Sequence, residues 1–238
     1  MDKSIDGVLL VDKGTDMTSH DVVAVARRCL GIKKIGHCGT LDPMATGLLI
    51  LVVGRATKIQ DLLMSEDKEY VGTIKLGMTT STQDAEGEPV EEMRVPDYSD
   101  DEIKAVFDAF KGDFHQIPPM VSAIKKDGVP LYKLARQGKT VEREPRLVYV
   151  YSSRIDRIEL PEIDFTVKCS KGFYVRTYAH DIGQKLGCGA HLKKLRRTRS
   201  GKFDLSRTVS FEQLKTGQRD QVMGELISLP EVSKMRGA

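Results

Sequence analysis

The chain has 238 residues, 40% of them hydrophobic and 30% charged, with a formal net charge of +3, a composition typical of globular proteins and unlike that of disordered or fibrous chains. Its N-terminal residues mix acids and bases ahead of the first apolar run, unlike a secretory signal, and the apolar run over residues 48–53 is far shorter than the roughly 20 residues that cross a bilayer. We therefore expect a cytoplasmic protein with no membrane partner.

Apolar periodicity and the positions of glycine and proline predict the order of the secondary structure. A capping box of Ser99 and Glu102 precedes apolar residues spaced at i, i+3, i+4 and i+7, which indicates a helix. Ser19 and Gly31 are of the types that begin and end a helix. In chain order we expect a strand at 7–11, a helix at 19–30, a glycine-rich loop at 36–47, a strand at 48–53, a helix at 56–64, a strand at 70–76, a helix at 99–110, an exposed excursion at 118–146, strands at 147–158 and 163–169, a helix at 174–186 and a strand at 191–198.

This irregular order lacks a βαβ rhythm, and it therefore predicts an α+β fold with a mainly antiparallel sheet. The excursion is rich in proline, glycine and basic residues. A chain of this length suits one large domain or two small ones, and we favour a single catalytic domain that carries an insertion at about 118–146.

Charge is segregated along the chain. Residues 168–207 contain eleven Lys or Arg against two acids, whereas residues 84–102 contain nine acids against one base. A basic stretch of this density is either a solvated face or a source of phosphate contacts to nucleic acid. The four cysteines form no C-x-x-C pair, so we expect reduced thiols and no metal site.

Asp42 lies in the glycine-rich string GHCGTLDPMATG. Pro43 restricts the preceding backbone to extended conformations, which fixes the direction of the Asp42 carboxylate, and the neighbouring glycines allow another backbone or a ligand to approach closely. For an isolated Asp before proline, turn chemistry is the default interpretation. The local residues alone leave both interpretations open.

The whole string resembles the catalytic segment of the pseudouridine synthases, in the branch called TruB that modifies the T arm of transfer RNA. Further segments resemble the other motifs of this family, in the expected order, between about residues 7 and 214. They are GVLLVDKGTDMTSHDVV, DKEYVGTIKLG, QIPPMVSAIKKDGVPLYKLARQG, and CSKGFYVRTYAHDIG followed by GCGAHLKKLRRTRSG. Bacterial members usually continue into an RNA-binding domain of the PUA type, which we expect to be absent here.

The resemblance implies the pseudouridine synthase fold, a mixed sheet flanked by helices with an RNA-gripping insertion. It implies isomerisation of uridine to pseudouridine at position 55, in the T-arm loop of transfer RNA, by base flipping and an aspartate nucleophile. The reaction gains and loses no atom, so we expect no cofactor. We also expect a monomer that needs no obligate protein partner.

Matching positions carry individual roles over from the family. The resemblance implies that Asp42 is the nucleophile, that Tyr70 packs on the flipped base, and that Arg176 pairs with the nucleophile and keeps it ionised. The implied substrate-binding residues are His37 beside the RNA, Leu195 in the base pocket and Lys13 supporting the first motif. As basic residues, Lys193, Lys194 and Arg196 are our candidates for contacts with phosphates. Further phosphate contacts are expected from Arg197 and, in the insertion, from Lys125, Lys126, Lys133 and Arg136.

The sequence departs from the family pattern in two places. Gly14 and Asp16 occupy the positions where the first motif usually has Pro and a second Gly, which predicts a looser loop there. Val121 stands where the inserted segment commonly has an aromatic residue.

Two functions other than that of a synthase share part of this sequence pattern. An RNA-binding module without chemistry would share the charge pattern and the insertion, but a rigidly presented carboxylate at Asp42 would repel phosphate. A thiol hydrolase built on His37 and Cys38 is disfavoured because adjacent residues seldom align as base and nucleophile, and no third orienting group is evident.

Overall fold

The computed structural model describes residues 5–217 and 219–237. The described chain divides into two compact units. The first unit combines the residues up to Tyr70 with those from Leu195 onward, and the second consists of Val71–Lys194. The strands are β1 (Gly7–Lys13), β2 (Ile35–Cys38), β3 (Thr46–Val53), β4 (Lys68–Leu76), β5 (Met78–Thr80), β6 (Pro89–Glu92), β7 (Gly112–Gln116), β8 (Lys125–Lys126), β9 (Val129–Pro130), β10 (Arg146–Glu159), β11 (Glu162–Cys169), β12 (Ala190–Ser200), β13 (Phe203–Asp204) and β14 (Val209–Ser210). The α-helices are α1 (Ser19–Leu30), α2 (Gln60–Met64), α3 (Asp100–Asp108), α4 (Leu131–Ala135), α5 (Val175–Leu186), α6 (Phe211–Lys215), α7 (Arg219–Gly224) and α8 (Leu229–Arg236), and short 3-10 helices lie at Gly54–Ile59 and Leu205–Arg207.

The first unit is built around β3. Along one edge β3 pairs antiparallel with β1, from Lys13↔Gly47 to Gly7↔Val53. Along its other edge it pairs antiparallel with β2 and, at its first residues, parallel with β12. Residues 39–45 form a short loop between β2 and β3, which pair with each other. Strand β12 pairs with the first residues of β3, where this loop ends.

The core of the first unit consists of apolar side chains from β1 and β3. Leu48, Ile50 and Val52 are fully buried, and they cluster with side chains from the C-terminal segments such as Phe203 and Ile227. Helix α1 contacts α6 and α7. Because β3 is buried on both faces, the loop that precedes it is attached to the most completely packed strand of the unit.

In the second unit the strand order is β12-β4-β11-β10-β7. One face of this sheet is packed by helices α3 and α5, where the rings of Phe107 and Tyr178 contact the buried Phe165 of β11. The hydroxyl of Tyr178 is hydrogen-bonded to Ser153 Oγ at 2.9 Å, which satisfies its polar end. The outward-facing residues of β10 are exposed.

The predicted α+β class with a mainly antiparallel, mixed sheet flanked by helices is confirmed. Strand β3 pairs antiparallel with β1 and β2, and β10 with β7 and β11, whereas β1 pairs parallel with β14 and β3 parallel with β12. The capping box of Ser99 and Glu102 and the left-handed cap at Gly31 are both present. Within the described residues, no helix is long and apolar enough to cross a membrane.

Two local predictions were wrong. The cap of α1 is Thr18, not Ser19, because Thr18 is extended and exchanges hydrogen bonds with Asp21 in a capping box. The string 36–47 is not one loop, since its first residues belong to β2 and its last to β3. The single-domain organisation stays a prediction.

Candidate active site

Asp42 lies in a short loop, residues 39–45, here called the Asp42 loop. The Ser19 hydroxyl binds both main-chain polar groups of Leu41. Ser19 Oγ accepts a hydrogen bond from Leu41 N at 2.9 Å and donates one to Leu41 O at 3.2 Å. After Asp42 the chain turns, with Ala45 N donating to Asp42 O at 3.0 Å. The half-buried Asp42 side chain is therefore presented from a backbone fixed immediately before and after it.

Lys13 holds the second half of the Asp42 loop. Its ammonium is buried and donates to Ala45 O at 2.6 Å, Pro43 O at 3.1 Å and Gly14 O at 2.9 Å. A buried cation is tolerated when hydrogen bonds replace its hydration. These contacts place Lys13 in the support of the loop, and its membership of the substrate-binding set stays a prediction.

Arg197 holds the two ends of the segment that contains Asp42. The side chain is 1% exposed, and it donates from Nε to Leu48 O at 2.8 Å and from Nη2 to Gly39 O at 3.1 Å. The phosphate contact that we expected from Arg197 is wrong, because a guanidinium enclosed in this way does not reach the surface. This buried role depends on residues far apart in sequence.

Two glycines make room for Arg197. Gly39 has φ +85° and Gly47 has φ +97°, both in the left-handed region. A Cβ on Gly47 would lie 2.3 Å from Arg197 O, and one on Gly39 would lie 3.2 Å from Arg197 Nη1. Glycine at positions 39 and 47 therefore allows the close approach of β12 to the Asp42 loop.

Asp16 departs from the family pattern of the first motif, but its backbone still contacts the Asp42 loop. Asp16 adopts φ +61°, the conformation for which glycine is favoured, and Asp and Asn tolerate it better than other residues. Its backbone N–H donates to Pro43 O at 3.1 Å.

His37 and Cys38 both lie in β2 rather than in a loop. Burial, followed by the nearby charges of His20 and Arg197, lowers the pKa of His37 from 6.5 to about 4. Burial raises the pKa of the Cys38 thiol to about 12. A neutral imidazole beside a buried, protonated thiol is not an activated nucleophile, which argues against the thiol hydrolase.

The remaining predicted contacts of β4 and β12 differ in environment. Tyr70 is half-buried and Leu195 is buried. Arg196 forms two hydrogen bonds with the Asp12 carboxylate, at 2.7 and 3.0 Å. Lys193 forms an ion pair with Glu162, whose pKa it lowers mainly through a hydrogen bond, whereas Lys194 is exposed.

Arg176 forms a second buried centre, at the first turn of α5. Its guanidinium donates to Val121 O at 2.7 Å and to Thr82 O at 3.1 Å, and its Nε lies 3.6 Å from Asp84 Oδ2. Asp84 is 3% exposed. The pairing of Arg176 with Asp42 stays a prediction.

Asp84 is the residue that sequence reasoning missed, because it lies in a stretch that reads as a solvated acidic turn. Its carboxylate accepts from Thr82 Oγ1 and from Glu86 N. An Asp that bonds a backbone N–H two residues later, ahead of Gly87, is a turn pattern visible in the sequence. Only the fold reveals that this turn faces Arg176.

Within the described residues, no group of three or more His, Cys, Asp or Glu side chains is placed to hold a metal ion.

Comparison with known families identifies two matching models. Residues 27–175 match the N-terminal domain of TruB family pseudouridylate synthases, and residues 176–228 match the C-terminal domain of tRNA pseudouridylate synthase B. The tRNA pseudouridine synthase B of Opitutus terrae is 55% identical over 98% of this chain and 92% of its own length. That of Syntrophotalea carbinolica is 48% identical over 95% of this chain and 74% of its own length.

Solved structures also match over most of the chain. A Cbf5-Nop10-Gar1 complex contains a chain that aligns with a TM-score of 0.73 and 29% identity over 96% of this protein. This protein spans 62% of that longer chain.

The role of Arg197 predicts a stability effect. In Arg197→Met the buried oxygen of Leu48 and the partly buried oxygen of Gly39 lose the hydrogen bonds that the guanidinium donates, and an unsatisfied buried acceptor costs about 1–3 kcal/mol. We expect the free energy of unfolding in urea to fall by about that amount. Arg199→Met is the matched control, because Arg199 is exposed and its ion pair with Asp204 spans 3.7 Å, a surface contact of little value. Equal losses of stability in the two variants would contradict the role of Arg197 in binding Gly39 O and Leu48 O.

The environment of His37 predicts its titration. Proton NMR should give an imidazole midpoint near pH 4, assigned by its absence in His37→Gln. Since the pKa of folded His37 lies below that of the unfolded chain, the unfolded state binds the extra proton between pH 6.5 and 4. The contribution of His37 to stability therefore declines as pH falls through that window, and His37→Gln should weaken the decline. A midpoint near 6.5 would show that the imidazole is hydrated.

Proposed function

The chain belongs to the TruB family of pseudouridylate synthases, and we infer that it isomerises uridine to pseudouridine in transfer RNA. In this reaction the bond between N1 of the base and C1′ of the ribose breaks, and a bond between C5 and C1′ forms. The hydrogen on C5 leaves as a proton, and N1 gains one. The balance is complete without an added reagent, so we propose that no cofactor takes part.

The observation that carries the proposal is the support of the Asp42 loop. Ser19, Lys13 and Arg197 bind its backbone on both sides of Asp42. A nucleophile must point at the reacting atom, and holding it in place removes much of the entropic barrier. A module that only bound RNA would gain nothing from a fixed carboxylate.

We assign the chemical roles as follows. Asp42 attacks either C1′ of the ribose or C6 of the base, forming a covalent intermediate. Tyr70 packs on the flipped base and is our candidate for removing the proton from C5, and Leu195 lines the base pocket. Arg176 pairs with Asp42 and opposes the effect of burial on its ionisation.

Recognition of the RNA is proposed to involve the remaining predicted residues. The target uridine lies in the T-arm loop and is flipped out for the reaction. Neutral His37 occupies the RNA side of the site. The exposed Lys194 contacts a phosphate directly, and Lys193 and Arg196 do so once they exchange Glu162 and Asp12 for phosphates. Arg176 binds Val121 O, which links the inserted segment to the catalytic arginine. We propose that one chain acts alone, in the cytoplasm.

Asp42→Asn is expected to abolish turnover. An amide is a poor nucleophile, so release of tritium from a transfer RNA transcript labelled at C5 of uridine should fall by more than about a thousandfold. Asp61→Asn, a change at an exposed aspartate of α2, serves as the control and should release tritium normally. Retained turnover in Asp42→Asn would remove Asp42 from the nucleophile's role.

Arg176→Met is expected to lose tritium release nearly as completely, because it removes the proposed counter-charge of Asp42. Arg176→Lys keeps the cation but not the planar set of donors, so it should retain more activity than Arg176→Met. Circular dichroism would show whether either protein is folded. Normal turnover by a folded Arg176→Met at neutral pH would contradict the pairing.

A further inference from the structure

The open face of the second unit carries large apolar side chains in water. Their exposed fractions are 51% for Ile117, 63% for Leu147, 42% for Tyr149 and 48% for Tyr151. Together with Lys168 we call these residues the aromatic surface. A sheet face in contact with water usually carries polar residues, and a contiguous exposed apolar patch usually marks a binding site.

The strands hold this surface in a fixed arrangement. Leu147 and Tyr149 alternate with Val148 and Val150, which are buried in the core. The rings of Tyr149 and Tyr151 lie 4.8 Å apart between centroids, at 44° to each other. Both tyrosines belong to a paired strand rather than to a loop, so little conformational entropy is lost when a ligand packs on them.

A cation completes the surface. Lys168 projects from the neighbouring strand β11, and its Nζ lies 5.7 Å from the centroid of the Tyr151 ring. Around the tyrosines, Arg146, Lys168 and Lys171 are exposed, against two exposed acids, Asp113 on β7 and Glu144 ahead of β10. The patch therefore combines exposed rings with an excess of positive charge.

We propose that the aromatic surface binds unpaired nucleotides of the transfer RNA substrate, with bases stacked on Tyr149 and Tyr151 and a phosphate beside Lys168. Aromatic side chains on an open sheet are a physical solution for stacking unpaired bases, and a nearby lysine neutralises the backbone. The proposal rests on the proposed function, and it adds a contact on strands that carry none of the catalytic residues assigned above.

Continuity with the inserted segment favours RNA over a protein partner. Strands β7 and β10 pair through Arg146↔Gln116 and Leu147↔His115. Ile117 and Leu147 therefore lie where the segment 118–146 leaves and re-enters the sheet. That segment carries the proposed phosphate contacts of the insertion, so the aromatic surface extends the same RNA-binding region. The centre of a protein interface is depleted of lysine, which this surface is not.

The test measures the affinity of each protein for an unmodified transfer RNA transcript at several salt concentrations. Removing both rings in Tyr149→Ala/Tyr151→Ala should weaken binding at least about fivefold, since one stacked base is worth about 1–3 kcal/mol and about 1.4 kcal/mol is tenfold. Tyr149→Phe/Tyr151→Phe keeps the rings and should bind like the unchanged protein. Lys168→Ala should reduce the slope of log affinity against log salt by about one.

The matched control is Val90→Ala, which truncates a side chain that is 68% exposed on β6, outside the aromatic surface. It should bind RNA normally. Equal affinity of the double alanine variant and the control would overturn the proposal. So would unchanged RNA affinity together with a change in sedimentation, because the surface would then join two copies of the chain.

A second measurement keeps the proposal testable if the double alanine variant misfolds. A transcript containing 4-thiouridine, crosslinked by light to the unchanged protein, should label peptides of β10, and absence of that label would overturn the proposal. Tritium release by the unchanged protein tests the proposed function separately. An active enzyme without the β10 contact would thus be distinguished from a protein that does not modify RNA.

Discussion

Two buried cations hold the loop on which the proposed chemistry depends. Lys13 comes from β1 and Arg197 from β12, and both donate to main-chain oxygens within or next to the Asp42 loop. A buried cation without such partners would cost several kcal/mol, so the loop conformation and the burial of the cations stabilise each other. The direction of the Asp42 carboxylate therefore follows from the packing of the whole first unit.

The same packing restricts what the neighbouring groups can do. Desolvation keeps His37 neutral and Cys38 protonated at physiological pH, with pKa values of about 4 and about 12. This agrees with the proposal that Asp42 is the nucleophile of its segment. A neutral imidazole also approaches RNA without adding to the phosphate contacts, which is compatible with a role in filling the space left by a flipped base.

The second unit contains both the buried ion pair of Arg176 with Asp84 and the exposed aromatic surface. Arg176 contacts Asp84 on one side and the backbone of Val121 on the other, so the inserted segment is bound directly to the arginine that we propose as the partner of Asp42. The helices α3 and α5 pack one face of the sheet through Phe107 and Tyr178. Its outward face carries the exposed Tyr149 and Tyr151, on which we propose that bases of the RNA stack.

Local features were predictable from the sequence because they depend on residues a few positions apart. The helix begun by Ser99 and Glu102, the end of α1 at Gly31 and the resemblance around Asp42 are of this kind. The tertiary structure decided the rest. In the folded protein Arg197, which we expected at a phosphate, is buried and binds main-chain oxygens of Gly39 and Leu48. Asp84 is buried beside Arg176. The reason is physical: whether a charged side chain faces water or a carbonyl depends on which distant segments the fold brings to it.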